Sequence, residues 1–302
     1  MRVTNGMLIT NMMRNYRRNL SRMENYQNQL ASGKNIRRPS DDPSGASKAL
    51  KLRSDLSMNE QYIKNTDNAI SWLSITENAL RDIGDSLQRA RELTVQAANE
   101  VLSPDNRAAI ADEIEQIQQH IFNVGNSTYA GRYIFAGFRT DAPAFSQGAG
   151  HIVFDGNAGE IAFEVGVGNR IAVNVTGGPV VPGGPSGVDI AGLYATLENL
   201  EDNLRGTGTP PISIDSFLTE IDGHARLALS HRSAIGAKTN RFEMIRARLL
   251  DSEVNFTELL SKTQDADIAE VVMNLKEAEA IYNASLATGA RIIMPTLVDF
   301  LR

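Results

Sequence analysis

The chain has no cysteine, which removes disulfide frameworks, thiolate metal sites, iron–sulfur clusters and cysteine nucleophiles together. Aromatic residues are scarce at 6 %, with one tryptophan. No run of about 20 apolar residues occurs, and Arg2, Asn5 and Asn11 break up the stretch from Met1 to Met13, so neither a membrane span nor a cleavable signal is expected. What is present is ordinary in amount: 302 residues, 42 % of them hydrophobic, allow two or three folded domains and argue against disorder throughout. Charge is unevenly placed. Met1 to Arg53 carries eleven basic against three acidic residues, a net +8, whereas Asp251 to Arg302 carries four against nine, a net -5. Opposite-sign ends attract each other, or the basic end meets an acidic partner.

Hydrophobic spacing then sorts the chain. Ile9, Met13, Tyr16, Leu20, Met23 and Leu30 recur at intervals of three and four, the stripe of an amphipathic helix, with Arg14, Arg17, Arg18 and Arg22 on its other faces. Gly33 is placed to stop that helix, and Asp42 before Pro43 to start the next. From there Ala49, Leu52, Leu56, Ile63, Ile70, Leu73, Leu80, Leu87 and Ala90 keep one register with no proline before Pro104. About 50 such residues make a rod of roughly 75 Å, against a radius of gyration near 19 Å for a compact chain of this length, so an elongated molecule is expected. Ser103 and Pro104 open a third helix through Ile110, Ile114, Ile117, Ile121 and Val124, which predicts a helical hairpin.

After Phe138 the period shortens. Ile161, Phe163 and Val165, then Ile171, Val173 and Val175, alternate as strands do, with Asp155-Gly156-Asn157 and Gly166-Val167-Gly168-Asn169 as turns. Gly177 to Gly187 reads as a loop, and Asp189 to Leu204 as a short helix closed by Gly206. Helical spacing resumes through Phe217, Ile221, Ala228, Ile235, Phe242, Ile245, Leu249, Phe256 and Leu259, although His224, His231, Lys238 and Ser252 fall on the same stripe. Asp267 with Glu270 starts a last helix carrying Ile268, Val272, Leu275, Tyr282, Leu286, Ile293 and Leu297. The expected fold is mainly α: a nested, elongated helical rod with a small β-rich insertion. Residues 1–42 pair with 266–302, 43–138 with 212–265, and 139–211 form the inserted domain.

Candidate chemistry is thin. Asp41-Asp42 resembles a carboxylate dyad, but Pro43 behind it makes helix capping the stronger reading. Of His120, His151, His224 and His231, the last two stand seven residues apart, about 10 Å along a helix, too far for the i, i+4 clamp of a zinc helix. Gly166-Val167-Gly168 lacks a third glycine in register and leads into a strand. Gly177 to Gly187 has no Gly-Lys-Ser/Thr, and no Gly-x-Ser-x-Gly elbow occurs anywhere. Trp72, on a long helix, reads as packing. The basic first helix lies opposite an acidic segment in the nested layout, which leaves no free face for nucleic acid. No enzyme, metal or cofactor is expected. A helical signalling module is a rival reading, opposed by the missing spans and the β insertion.

The chain resembles the flagellin superfamily. The likeness runs through Arg2-Val3-Thr4, Gln29-Leu30-Ala31-Ser32-Gly33-Lys34-Asn35-Ile36, Ser40-Asp41-Asp42-Pro43-Ser44-Gly45-Ala46 and Gln96-Ala97-Ala98-Asn99. It continues through Arg132-Tyr133-Ile134-Phe135-Ala136-Gly137, Ile235-Gly236-Ala237-Lys238-Thr239-Asn240-Arg241, Asp265-Ala266-Asp267 and Pro295-Thr296-Leu297-Val298-Asp299-Phe300-Leu301. It spans about 1–140 and 212–302. Arg2-Val3-Thr4, the Tyr-Ile-Phe-Ala-Gly stretch and the single small insertion are similar to the superfamily's hook–filament junction members, with filament flagellin itself as the alternative. The resemblance implies a secreted structural subunit of the bacterial flagellum, exported unfolded without a cleaved signal. It implies a ring of copies between another hook-associated protein and the flagellin filament, and an export chaperone.

Physical chemistry reaches the same class separately. A terminal helix of about 25 to 30 residues is marginal in water unless its stripe is covered, and each buried Leu, Ile or Met is worth about 1.5 to 3 kcal/mol. Two terminal helices cover only part of each other. The expected assembly residues are therefore Met7, Ile9, Met13, Tyr16, Leu20, Met23, Leu30, Leu275, Tyr282, Leu286, Ile293 and Leu297. Amide exchange on the dilute monomer is expected to be fast across 5–30 and 270–300 and to slow on assembly; strong protection of both stretches at low concentration would defeat this expectation.

Overall fold

The computed structural model describes residues 5–98, 103–148, 151–179, 187–206 and 214–293. Six helices carry most of them: α1 (Asn5–Ser32), α2 (Pro43–Ala97), α3 (Pro104–Gly125), α4 (Ile190–Arg205), α5 (Ile214–Gln264) and α6 (Ile268–Ile293). Between α3 and α4 lie six short strands, β1 (Thr128–Tyr129), β2 (Arg132–Tyr133), β3 (Phe145–Gln147), β4 (Ile152–Phe154), β5 (Ala162–Gly166) and β6 (Asn169–Ala172). They pair in chain order as three antiparallel two-stranded ribbons. The fold is mainly α with a small β part, as the sequence pattern requires.

Local chemistry sets the helix ends. Asp42 Oδ1 accepts from the Ser44 amide at 3.0 Å, so α2 begins at Pro43. Ser103 accepts from Asn106 N at 3.3 Å and starts α3. Asp189 caps α4, which closes on Gly206 at φ +75°. Asp267 Oδ1 accepts from Ala269 N at 2.9 Å and Glu270 N at 3.3 Å, which opens α6.

Two compact units result: Met1–Met58 with Ser252–Arg302, and Asn59–Asp251. In the second, Leu73, Leu80, Ile83 and Leu87 of α2 share one buried core with Ile114 and Ile121 of α3, Leu197 and Leu200 of α4, and Phe217, Ile221 and Phe242 of α5. Helices α2 and α5 run antiparallel. The ion pairs Arg91–Asp222 at 2.8 Å, Glu77–Arg232 at 2.8 Å and Asp67–Arg246 at 2.6 Å step down one helix as they step up the other. Three threonines inside the α2 seam are satisfied within the helix: Thr66, Thr76 and Thr94 donate to the carbonyls of Tyr62, Trp72 and Ala90 at 2.7, 2.9 and 2.6 Å. Trp72 packs edge-on to Tyr129, ring centroids 5.9 Å apart.

The β segment differs in detail from its sequence pattern. The ribbon of β5 and β6 turns at Val167-Gly168 as expected, but a bulge between Glu164 and Gly166 shortens it, and Val173 and Val175 are buried beyond its end. The β1–β2 and β3–β4 ribbons carry no alternation long enough to announce them. This segment shares its core with the helices: Ile134, Phe135, Phe145, Val165 and Val173 belong to the same buried cluster. The part of Gly177 to Gly187 spanning 180–186 lies outside the described residues.

Gly137 ties that segment down. It sits at φ +71°, and a Cβ there would overlap the carbonyl of Asn157. The Asn157 amide donates to Ala136 O at 3.0 Å while its Oδ1 accepts from Phe138 N at 2.6 Å. Gly137→Ala is expected to cost on the order of 2 to 3 kcal/mol in urea unfolding of the second unit; an unchanged midpoint would show that the turn yields.

Candidate assembly interface

The first unit is built around Gln264, the last residue of α5. Its carbonyl accepts from the Asn35 amide at 2.7 Å, its Nε2 donates to Ile36 O at 3.2 Å, and its Oε1 accepts from the Arg53 guanidinium at 2.6 Å. One residue on, Lys34 and Asp265 form an antiparallel bridge, and Ala266 N donates to Gly33 O at 3.0 Å. Gly33 stands at φ +67°, so α1 ends where the sequence predicts. These bonds fasten the α1–α2 link to the α5–α6 link and set α1 beside α6.

The same link disposes of the carboxylate dyad. Asp41 Oδ2 accepts from the amides of Arg38 at 2.8 Å and Arg37 at 3.2 Å. The Arg38 amide above all, with the Arg37 amide and both guanidinium charges, holds this carboxyl below its ordinary range despite some desolvation. Asp42 is occupied in capping α2. One carboxylate closes a turn and the other starts a helix. Among the described residues no group of three or more His, Asp or Glu is placed to hold a metal ion, and no helix is long and apolar enough to cross a membrane.

Along the pair, Tyr16 and Tyr282 meet with hydroxyl oxygens 2.8 Å apart and ring centroids at 5.3 Å. Met12 packs over Gly289. Val271, Leu275 and Ala278 of α6 are buried. The remaining stripe is not. Met7 is 56 % exposed, Leu286 44 %, Leu20 41 %, Met13 41 % and Leu30 38 %. Ile9, Tyr16, Met23 and Tyr282 are half-buried. Leu275 departs from the rest of the predicted assembly set, because the helix pair already covers it. The side chain of Ile293 and all of Leu297 lie outside the described residues. Sequence spacing missed Met273 and Ile281 on α6 and Val254 on α5, exposed apolar residues off the stripe, while Ile268 and Val272 of α6 and Leu259 of α5 lie on their stripes and are exposed as well.

Charge behaves differently from the simplest expectation. The basic and acidic ends do lie together, yet among the described residues none of the ion pairs involves Arg14, Arg17, Arg18 or Arg22. What joins α1 to α6 is apolar contact and the tyrosine pair. A surface of exposed methionines and leucines, with arginines that have no ion-pair partner among the described residues, is suited to binding a complementary surface.

The Tyr282 hydroxyl, then burial, then the Tyr282 charge raise the pKa of Tyr16 above its ordinary 10.0. With its pKa raised in the folded state, Tyr16 contributes stability below pH 10 that is lost as pH rises through the higher value. Tyr282→Phe is therefore expected to bring the Tyr16 phenolate transition back toward 10 and to loosen the helix pair. Ultraviolet titration and circular dichroism check both; an unmoved transition would mean the hydroxyls do not bond.

The family of the bacterial flagellin N-terminal helical region matches residues 3–140. Flagellar hook-associated protein 3 of Escherichia coli is 27 % identical over 94 % of this chain and 96 % of its own length. Flagellin of Halalkalibacterium halodurans is 26 % identical over 93 % of this chain and 92 % of its own. The crystal structure of flagellar hook associated protein-3 from Legionella pneumophila shares the fold at a TM-score of 0.62 and 18 % identity, covering 70 % of this chain and 98 % of that one.

Proposed function

We propose that the chain belongs to the flagellin superfamily, whose N-terminal helical region matches residues 3–140, and that it is a structural subunit of the bacterial flagellum, seated where hook meets filament. The observation that carries the reading is the end-to-end likeness to hook-associated protein 3, terminal helices included. The mechanism is assembly. A pair of helices that leaves Leu20, Met13 and Leu286 about two-fifths exposed gains roughly 0.6 to 1.2 kcal/mol for each such side chain covered by a neighbour. The unpaired arginines of α1 gain acidic partners at the same time, which fixes register more than it adds affinity. Copies of the chain form the ring, another hook-associated protein covers its hook side, and flagellin covers its filament side. The subunit leaves the cell unfolded through the flagellar export apparatus, attended by a chaperone; a chain without cysteine cannot be trapped by disulfides on the way.

A second reading, filament flagellin itself, has the 26 % match in its favour. The two separate on deletion of the gene. Loss of a junction subunit leaves hooks without filaments and flagellin shed into the medium, whereas loss of the filament subunit leaves none to shed. Intact filaments on the deletion strain would sink both.

Replacing Leu20 or Leu286 by glutamate is expected to leave the monomer soluble and to cut its incorporation at the hook tip at least tenfold, scored by electron microscopy of hook-basal bodies carrying the labelled chain. Normal filament retention in either variant would remove the terminal helices from the assembly surface.

A further inference from the structure

Three ionisable residues of α5, His224, His231 and Lys238, stand seven apart on a stripe otherwise apolar. Each rung meets the segment inserted between α3 and α5. His231 is 7 % exposed, and its Nε2 lies 3.0 Å from the carbonyl oxygen of Gly187. Gly187 pairs with Thr176, Val188 N donates to Thr176 O at 2.9 Å, and Asp189 N donates to Gly178 O at 3.1 Å, so the strip that His231 holds leads directly into the N-cap of α4. His224, half-buried one heptad earlier, feels the carboxylates of Asp189 and Glu220. Lys238, half-buried one heptad later, faces Glu160. The neighbouring Arg232 is engaged with Glu77 of α2 at 2.8 Å.

We propose that this ladder is an acid-released latch, holding the strip at Gly187 and the helix α4 behind it on α5 at neutral pH and letting them go in weak acid. Neutral His231 donates its Nε2 proton to Gly187 O. A second proton leaves a cation in a desolvated position with the Lys238 ammonium on the same face, and opening to water relieves it. Burial pushes the pKa of His231 down, and Lys238 adds to this while the Gly187 carbonyl opposes it. At His224 burial acts in the same direction, but Asp189 and Glu220 offset part of it. His231 is therefore the sensing rung. Exposed His151 lies 3.1 Å from Glu198 of α4, outside the ladder. With a closed-state pKa below the ordinary value of about 6.5, docking is complete above that pH and is lost as pH falls toward the closed-state pKa. The open fraction gains up to about tenfold per pH unit in that window.

Amide exchange on the full chain at pH 7.5 and 5.5, corrected for intrinsic rates, tests the latch. Peptides covering 187–206 are expected to lose several-fold, up to about tenfold, in protection at the lower pH while 66–80 of α2 hold theirs, and His231→Gln, whose amide still donates to the carbonyl, should abolish the loss. Equal protection of 187–206 at both pH values, or the same acid loss in His231→Gln, overturns the proposal. Should that variant already be undocked at pH 7.5, ring titration of the unaltered chain by nuclear magnetic resonance decides: a His231 pKa below 6.5 upholds the latch, and one at or above 6.5 overturns it.

Discussion

Two helices lying side by side can hide only the strip along which they meet. That limit governs α1 and α6. Where they touch, Leu275, Val271 and Ala278 are buried and the tyrosines bond; away from the line, methionines and leucines face outward. The second unit obeys the same physics with more partners. There α2 shares a core with α3, α4 and α5, and Leu73, Leu80 and Ile83 are wholly enclosed. Burial supplies most of the favourable free energy of folding, so the deficit falls on the terminal helices, whose exposed side chains have fewer bodies available to cover them.

Much of this was legible because its signals are local. Asp42-Pro43, Ser103-Pro104, Asp189, Asp267 and the two terminating glycines announce helix ends within four residues, and each is found in its role. The long apolar registers needed only counting. What stayed hidden is either very short or very long in range. Ribbons of two or three residues per strand have no room to display a period of two. Gln264 looks like any polar residue at a helix end, yet its partner Ile36 is 228 positions away. Spacing alone also could not say that Leu275 would be taken by α1, since a stripe marks apolar side chains without assigning them a partner. The opposite charges of the two ends were visible as well, but among the described residues proximity did not become ion pairing between the arginines of α1 and the acids of α6.

Polar residues on apolar stripes divide into three kinds once their partners are known. The α2 threonines turn back onto their own helix and cost little. Asn59 instead reaches across, donating to Leu249 O at 2.9 Å, and so contributes to the register of α2 on α5. The histidines and lysine of α5 serve the inserted segment. A polar residue in a heptad pattern therefore has no single meaning until its partner is known.

The single tryptophan has a practical corollary. Trp72 is buried against Tyr129 deep in the second unit, while the first unit has only tyrosines among its described aromatic pairs. Indole fluorescence is consequently a private reporter for one half of the molecule. Melting or ordering of the terminal helices leaves that emission unchanged, and a far-ultraviolet signal that departs from it measures the other half by difference.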